Sequence, residues 1–157
     1  MYRDELRYVL STLGRLGAPS AEVEDLCHEV FMAAFRKRRD FDPARPIRPW
    51  LFGIAYRLML NVKRKGSTAG SDEALSRLSD PAQGPEELAQ RKQAGTLLSR
   101  AIGGLEPDRR AVFLLHDFEG QPAPVISDAL EIPLNTVYSR LRLARADLAR
   151  VIGSMPS

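Results

Sequence analysis

The chain has 157 residues, 44% of them hydrophobic, which allows one ordinary domain or two very small helical ones and argues against disorder throughout. Its 23 Lys and Arg against 20 Asp and Glu leave a net charge of +3, a small excess that favours an anionic partner. The single cysteine, Cys27, excludes an internal disulfide, and no signal-peptide pattern or apolar run of the ~20 residues needed to span a bilayer is present, so a cytoplasmic protein without membrane insertion is expected.

The charge is unevenly spread. Residues 1–65 carry 13 Lys or Arg against 8 Asp or Glu, residues 66–87 carry 1 against 5, and residues 88–157 carry 9 against 7. The first block reads as helices: Tyr2 to Leu16, then Ala21 to Arg39 after the Gly17-Ala18-Pro19-Ser20 break, then Pro49 to Lys65. In the second of these, Val23, Leu26, Val30, Phe31, Ala34 and Phe35 recur at helical spacing, and Ser20 with Glu22 to Asp25 supplies a cap and an acidic first turn. Asp42-Pro43-Ala44-Arg45-Pro46 breaks the pattern, because proline fixes φ and lacks an N–H. In the third helix Trp50, at helical spacing beside Leu51 and Ile54, is assigned to packing. Asn61-Val62-Lys63-Arg64-Lys65 closes it with an amide and three cations. That end is either a basic terminus favoured by the helix dipole or a hold on single-stranded nucleic acid, and the two readings are compatible.

Residues 66–87 are rich in Gly, Ser, Pro and acid and read as a flexible linker. Such a segment buries too little apolar surface to offset the entropy of ordering, so limited proteolysis of the free protein should cut there first; cleavage elsewhere with this stretch intact would contradict the two-domain reading. Beyond it the pattern predicts helices from about Glu86 to Gly103 and from Pro107 to Asp117, the latter with proline in its first turn. A short helix through Val125 to Leu130 follows, and after Glu131-Ile132-Pro133 comes a last helix whose Val137, Leu141, Ala144, Leu148 and Val151 form an apolar stripe. Opposite that stripe fall Asn135, Ser139 and Arg142, with Thr136, Arg140 and Arg145 on its flanks. Short polar side chains and arginines suit base edges and phosphates of a DNA groove, and a short helix, tight turn and longer helix is the helix-turn-helix layout. With no alternating strand pattern, the fold expected is all-α: two small helical domains, residues 1–65 and 88–157, around the 66–87 linker.

Four strings now occur in order. Glu24-Asp25-Leu26-Cys27-His28-Glu29-Val30-Phe31 and Arg48-Pro49-Trp50-Leu51-Phe52-Gly53-Ile54-Ala55 lie in the first block. Leu105-Glu106-Pro107-Asp108-Arg109-Arg110-Ala111-Val112-Phe113-Leu114-Leu115 and Pro133-Leu134-Asn135-Thr136-Val137-Tyr138-Ser139-Arg140-Leu141 lie in the second. Together the chain resembles a bacterial RNA polymerase sigma factor of the extracytoplasmic-function group in the sigma-70 family, with region 2 first and region 4 second. The resemblance implies a dissociable subunit that binds the clamp helices of the core polymerase's largest subunit, opens the minus-ten element and reads the minus-thirty-five element as duplex, commonly under an anti-sigma factor. It places core docking on Asp25, Glu29, Met32 and Arg36, capture of an unstacked base on Asn61 in a loop position with Lys63, Arg64 and Lys65 holding the strand, and duplex reading on Asn135, Thr136, Ser139, Arg140, Arg142 and Arg145. Departures from the family pattern are Gln121-Pro122-Ala123-Pro124 where a capping box is usual, Asn135 for a usual glycine, Leu143 for a common arginine, and Gly53 for a frequent arginine.

No Gly-rich phosphate loop, nucleophile elbow or metal-ligand cluster is present, so no enzyme activity, cofactor or metal is expected. Cys27 and His28 are adjacent and only His116 adds an imidazole, too few for a four-ligand zinc site; Cys27 reads as a small core residue. The rival readings are a stand-alone helix-turn-helix regulator with a sensing or dimerisation domain, which would bind duplex DNA without polymerase, and a helical adaptor, which would bind neither.

Overall fold

The computed structural model describes residues 2–65 and 97–153, and the linker assigned to 66–87 and the start of the helix assigned from Glu86 lie outside them. Among the described residues the architecture is helical without strands: α1 (Tyr2–Arg15), α2 (Val23–Arg36), α3 (Ile47–Lys65), α4 (97–103), α5 (Pro107–Phe113), α6 (Ala123–Leu130) and α7 (Leu134–Gly153).

The first three helices pack mutually around Val9, Leu13, Val30, Leu51, Phe52 and Ala55, and Cys27 is buried among them as a small apolar residue. Helix α1 ends where Gly17 takes φ +97°, with Ala18 N–H donating to Leu13 O at 2.9 Å and Gly17 N–H to Gly14 O at 3.1 Å, a Schellman closure that glycine accommodates without steric cost. Helix α2 starts later than the sequence predicts. Its N-cap is Glu22 in a helical conformation without a side-chain cap, because Glu22 N–H already closes a turn onto Pro19 O, leaving Ser20 outside the helix. It also ends at Arg36 rather than Arg39, with Arg38–Asp40 in a separate 3₁₀ turn. Phe35, assigned to the apolar stripe, is 62% exposed beneath the Arg38 guanidinium, which lies 4.1 Å from the ring centroid.

In the second half α5 does not run on regularly to Asp117. At Leu114–Phe118 it widens into a π-turn, closed by Glu119 N–H on Leu114 O at 2.9 Å, while Leu114 and Leu115 stay buried. The Gln121 to Pro124 departure is accommodated at the start of α6: Pro122 is the N-cap and Pro124 sits in the first turn, where its missing N–H would have no helical partner. No side chain caps this end. The turn to α7 places Glu131 at φ 57°, an uncommon region for a residue with a Cβ. Ile132 N–H on Ser127 O at 3.1 Å and Ser127 Oγ on Ile132 O at 2.5 Å hold it there. Val137, Leu141, Ala144 and Leu148 are buried against α5 and α6, as their spacing predicts; Val151, the last of the stripe, is 39% exposed because it lies past the end of the bundle.

Helix α6 packs along α3, and side-chain hydrogen bonds cross between the halves from Tyr8 to Glu119, Arg45 to Asp128, Tyr56 to Asp108 and Arg57 to the Ala129 carbonyl.

Candidate nucleic-acid interface

The outer face of α7 is built as its stripe requires. Asn135 and Arg142 are exposed, and Ser139, Thr136 and Arg140 are half-buried at its margins. Two of the flanking arginines are tied to acids. Arg140 Nη2 lies 3.7 Å from Asp108 Oδ2, and Arg145 makes a bidentate pair with Asp117, at 2.9 Å from Nε to Oδ2 and 2.6 Å from Nη2 to Oδ1. Arg142 is exposed, while Arg145 is oriented by Asp117 in the π-turn of α5. Tyr138 is 52% exposed and Leu143 38%, which adds apolar surface beside the polar face.

The Arg145 hydrogen bonds hold the Asp117 carboxyl down to about 2, with His116 Nδ1 at 2.7 Å contributing less. A carboxylate stabilised in the folded state lends stability above its ordinary value near 3.8 and loses it as pH falls through the folded one. Thermal melts from pH 4 down to pH 2 should therefore show a steeper acid loss in the wild type than in Asp117→Asn. Parallel curves in that window would show that the pair stabilises nothing.

In the first half, Asp25, Glu29, Met32 and Arg36 lie at i, i+4, i+7 and i+11 along α2, all exposed, on the face opposite buried Leu26, Cys27, Val30 and Ala34. Met32 is 46% exposed, and Phe35 stands beside it, giving an apolar centre with acid at one end and base at the other. The exposure of Phe35 was missed because its spacing also fits the stripe.

Asn61 is exposed, but within α3 and not in a loop, since helical hydrogen bonding continues to Lys65. Lys63, Arg64 and Lys65 share that last stretch of helix, which brings them near Asn61 in the chain; their side chains lie outside the description. Trp50 is half-buried with its ring centroid 4.8 Å from that of Phe41, in keeping with a packing role. Sequence reasoning missed the polar ties between halves: Tyr8 Oη donates to Glu119 Oε1 at 2.7 Å, and Tyr56 Oη to Asp108 Oδ1 at 2.9 Å. Burial, with Asp108 adding to it, pushes the Tyr56 hydroxyl up to about 12, so it stays a donor.

Among the described residues no three His, Cys, Asp or Glu side chains gather as metal ligands, and no helix is long and apolar enough to cross a membrane.

Comparison with known proteins identifies the two regions of the chain. The model for sigma-70 region 2 matches residues 1–68, and that for sigma-70 region 4 matches residues 96–148. The chain is 27% identical over 145 residues to RNA polymerase sigma factor CnrH of Cupriavidus metallidurans, covering 87% of this chain and 76% of that protein. It is 31% identical over 137 residues to the ECF RNA polymerase sigma factor SigE of Mycolicibacterium smegmatis, covering 85% of this chain and 53% of that one. The structure of CnrH in complex with the cytosolic domain of CnrY superposes with a TM-score of 0.64 at 25% identity, over 96% of this chain and 83% of that one. The sigma factor RpoE, in complex with the anti-sigma factor NepR from Bartonella quintana, shares the fold at a TM-score of 0.73 and 18% identity, over 97% and 94% of the two chains. Both region models in family order, relatives spanning most of the chain and a common helical fold make this chain an extracytoplasmic-function sigma factor of the sigma-70 family, a subunit that binds RNA polymerase and directs promoter-specific transcription initiation.

Proposed function

We propose that the work of initiation is divided among three surfaces on two functional units, residues 1–65 and 88–157 around a 66–87 linker. The α2 strip of Asp25, Glu29, Met32 and Arg36 docks the clamp helices of core polymerase. Asn61, with Lys63, Arg64 and Lys65, holds the opened minus-ten strand. The outer face of α7 reads the minus-thirty-five element through Asn135, Thr136, Ser139 and Arg142, with Arg140 and Arg145 toward the phosphates. The observation carrying this reading is the separation on α7 of an outward polar face, with Asn135 and Arg142 exposed, from the buried stripe of Val137, Leu141, Ala144 and Leu148. Sigma factors initiate transcription without catalysing a reaction, and we extend that to this chain, together with action in the cytoplasm and restraint by an anti-sigma factor. The anti-sigma complexes of the CnrH and RpoE structures support the last point.

An amide can hydrogen-bond an unstacked base while neighbouring cations hold the strand, so Asn61→Ala should lower open-complex formation and leave duplex binding unchanged. Permanganate footprinting of holoenzyme checks this. Unchanged thymine reactivity and transcription would reduce Asn61 to a helix-end residue. In parallel, Asp25→Lys with Glu29→Lys should weaken core binding about tenfold or more, because charges meeting a complementary surface set both encounter and register; retained affinity would remove α2 from the interface.

A further inference from the structure

Tyr138 stands apart from the other tyrosines whose side chains are described. Tyr8 and Tyr56 each donate to an acid of the other half, whereas Tyr138 is exposed on α7, and its hydroxyl has no hydrogen bond and its ring no aromatic or cation contact among the described residues. Leu134, Tyr138 and Arg142 recur every four residues and so form one row along α7, with Asn135, Ser139 and Leu143 in the row beside it. Leu134 is exposed as well, so the first row opens on an apolar shelf at the start of the helix and runs into a cation. The core stripe of Val137, Leu141, Ala144 and Leu148 is already buried against α5 and α6, and the shelf lies outside it.

The base edges in a major groove present donors, acceptors and one apolar group, the C5 methyl of thymine. Asn135, Ser139 and Arg142 have the chemistry for the donors and acceptors and none for the methyl. In a helix-turn-helix the first residues of the reading helix come closest to the base edges, and Leu134 and Tyr138 are among the first residues of α7. We infer that Tyr138, with Leu134 one turn before it on the same row, is a specificity-determining residue that reads a thymine methyl in the minus-thirty-five element. The ring lies on the methyl and water leaves both. A tyrosine has only two side-chain torsions to fix, so little entropy is lost against the area covered. The inference deepens the α7 reading proposed above and rests on it.

The test compares thymine with deoxyuridine, which lacks that methyl and keeps every hydrogen-bonding group of the base pair. Holoenzyme containing the full chain is titrated against promoter duplexes in which each thymine of the upstream element, on either strand, is replaced in turn. The wild type should lose about fourfold in affinity at one thymine or at two neighbouring ones, the worth of one methyl group taken out of water. Tyr138→Ala should bind thymine and deoxyuridine alike at that position, and Tyr138→Phe should keep the wild-type ratio because the ring remains. Tyr138 is exposed, so both changes leave the core of the second half as it is. A wild type indifferent to the methyl at every position would overturn the inference, as would a Tyr138→Ala protein that keeps the wild-type ratio. A Tyr138→Phe protein weakened on every duplex as much as Tyr138→Ala would make the hydroxyl a phosphate contact and overturn it too. Failure of the α7 reading looks different: Arg142→Ala would then leave preference within the upstream element unchanged, whereas a wrong methyl assignment leaves the Arg142 effect in place.

Discussion

Arg110→Ala should cost about 2–4 kcal/mol of stability, a large share of the ~5–15 kcal/mol typical of a folded chain. Arg110 is 6% exposed, and its Nη2 donates to Gly103 O at 2.6 Å and to Leu105 O at 3.2 Å, so one guanidinium ties the end of α4 and the connection that follows it to α5. Burial pulls its pKa below the usual arginine value, which marks desolvation of a charge with no ion pair among the described residues. Truncation leaves two backbone carbonyls without their charged donor and a cavity under Gly17, whose Cβ position lies 3.0 Å from Arg110 Nη1. Urea unfolding of the full chain measures the loss. A change under about 1 kcal/mol would mean that relief of desolvation cancels the lost hydrogen bonds.

The second large effect separates reading from anchoring on α7. Arg142 is exposed and opposite the buried stripe, so its removal touches no packing, whereas Arg145 is fixed by Asp117 at the flank where phosphates would run. Loss of a base contact costs about 1–3 kcal/mol and relaxes preference at one position, while loss of a phosphate contact weakens all sequences alike and lowers the salt slope by about one. Arg142→Ala should thus alter preference within the upstream element, and Arg145→Ala should weaken every element evenly. Holoenzymes assayed on a library of upstream elements at two salt concentrations report both quantities. Unchanged affinity and preference in both variants would make this face a solvated surface.

Much of this arrangement is visible in the chain before folding. The α7 stripe is legible because four buried positions repeat at helical spacing, and the exposed α2 strip follows once Leu26, Cys27, Val30 and Ala34 define the inner face. The errors have physical causes. Val151 continues the periodicity but outruns the helices that would cover it, and Phe35 fits the stripe while projecting under Arg38. Ser20 carries a capping side chain, but the turn from Pro19 moves the helix start past it. The π-turn at Leu114–Phe118 leaves no periodic trace, because one widened turn shifts the phase only once. Contacts between the halves, such as Tyr8 with Glu119 across 111 positions of sequence, depend on tertiary packing and have no local signal. Gly53 was visible as a departure from the family pattern, but its meaning needed the carbonyl of Ala129, which a Cβ there would strike.

Run-off transcription with purified core polymerase on fragments of the source genome tests the central claim most directly. The account predicts start sites that appear only when the chain is added to core, each preceded by a shared upstream and minus-ten pair, with permanganate-reactive thymines at the latter. Binding of the chain to duplex DNA without core, with no new start sites when the two are combined, would contradict it and point instead to a stand-alone helix-turn-helix regulator.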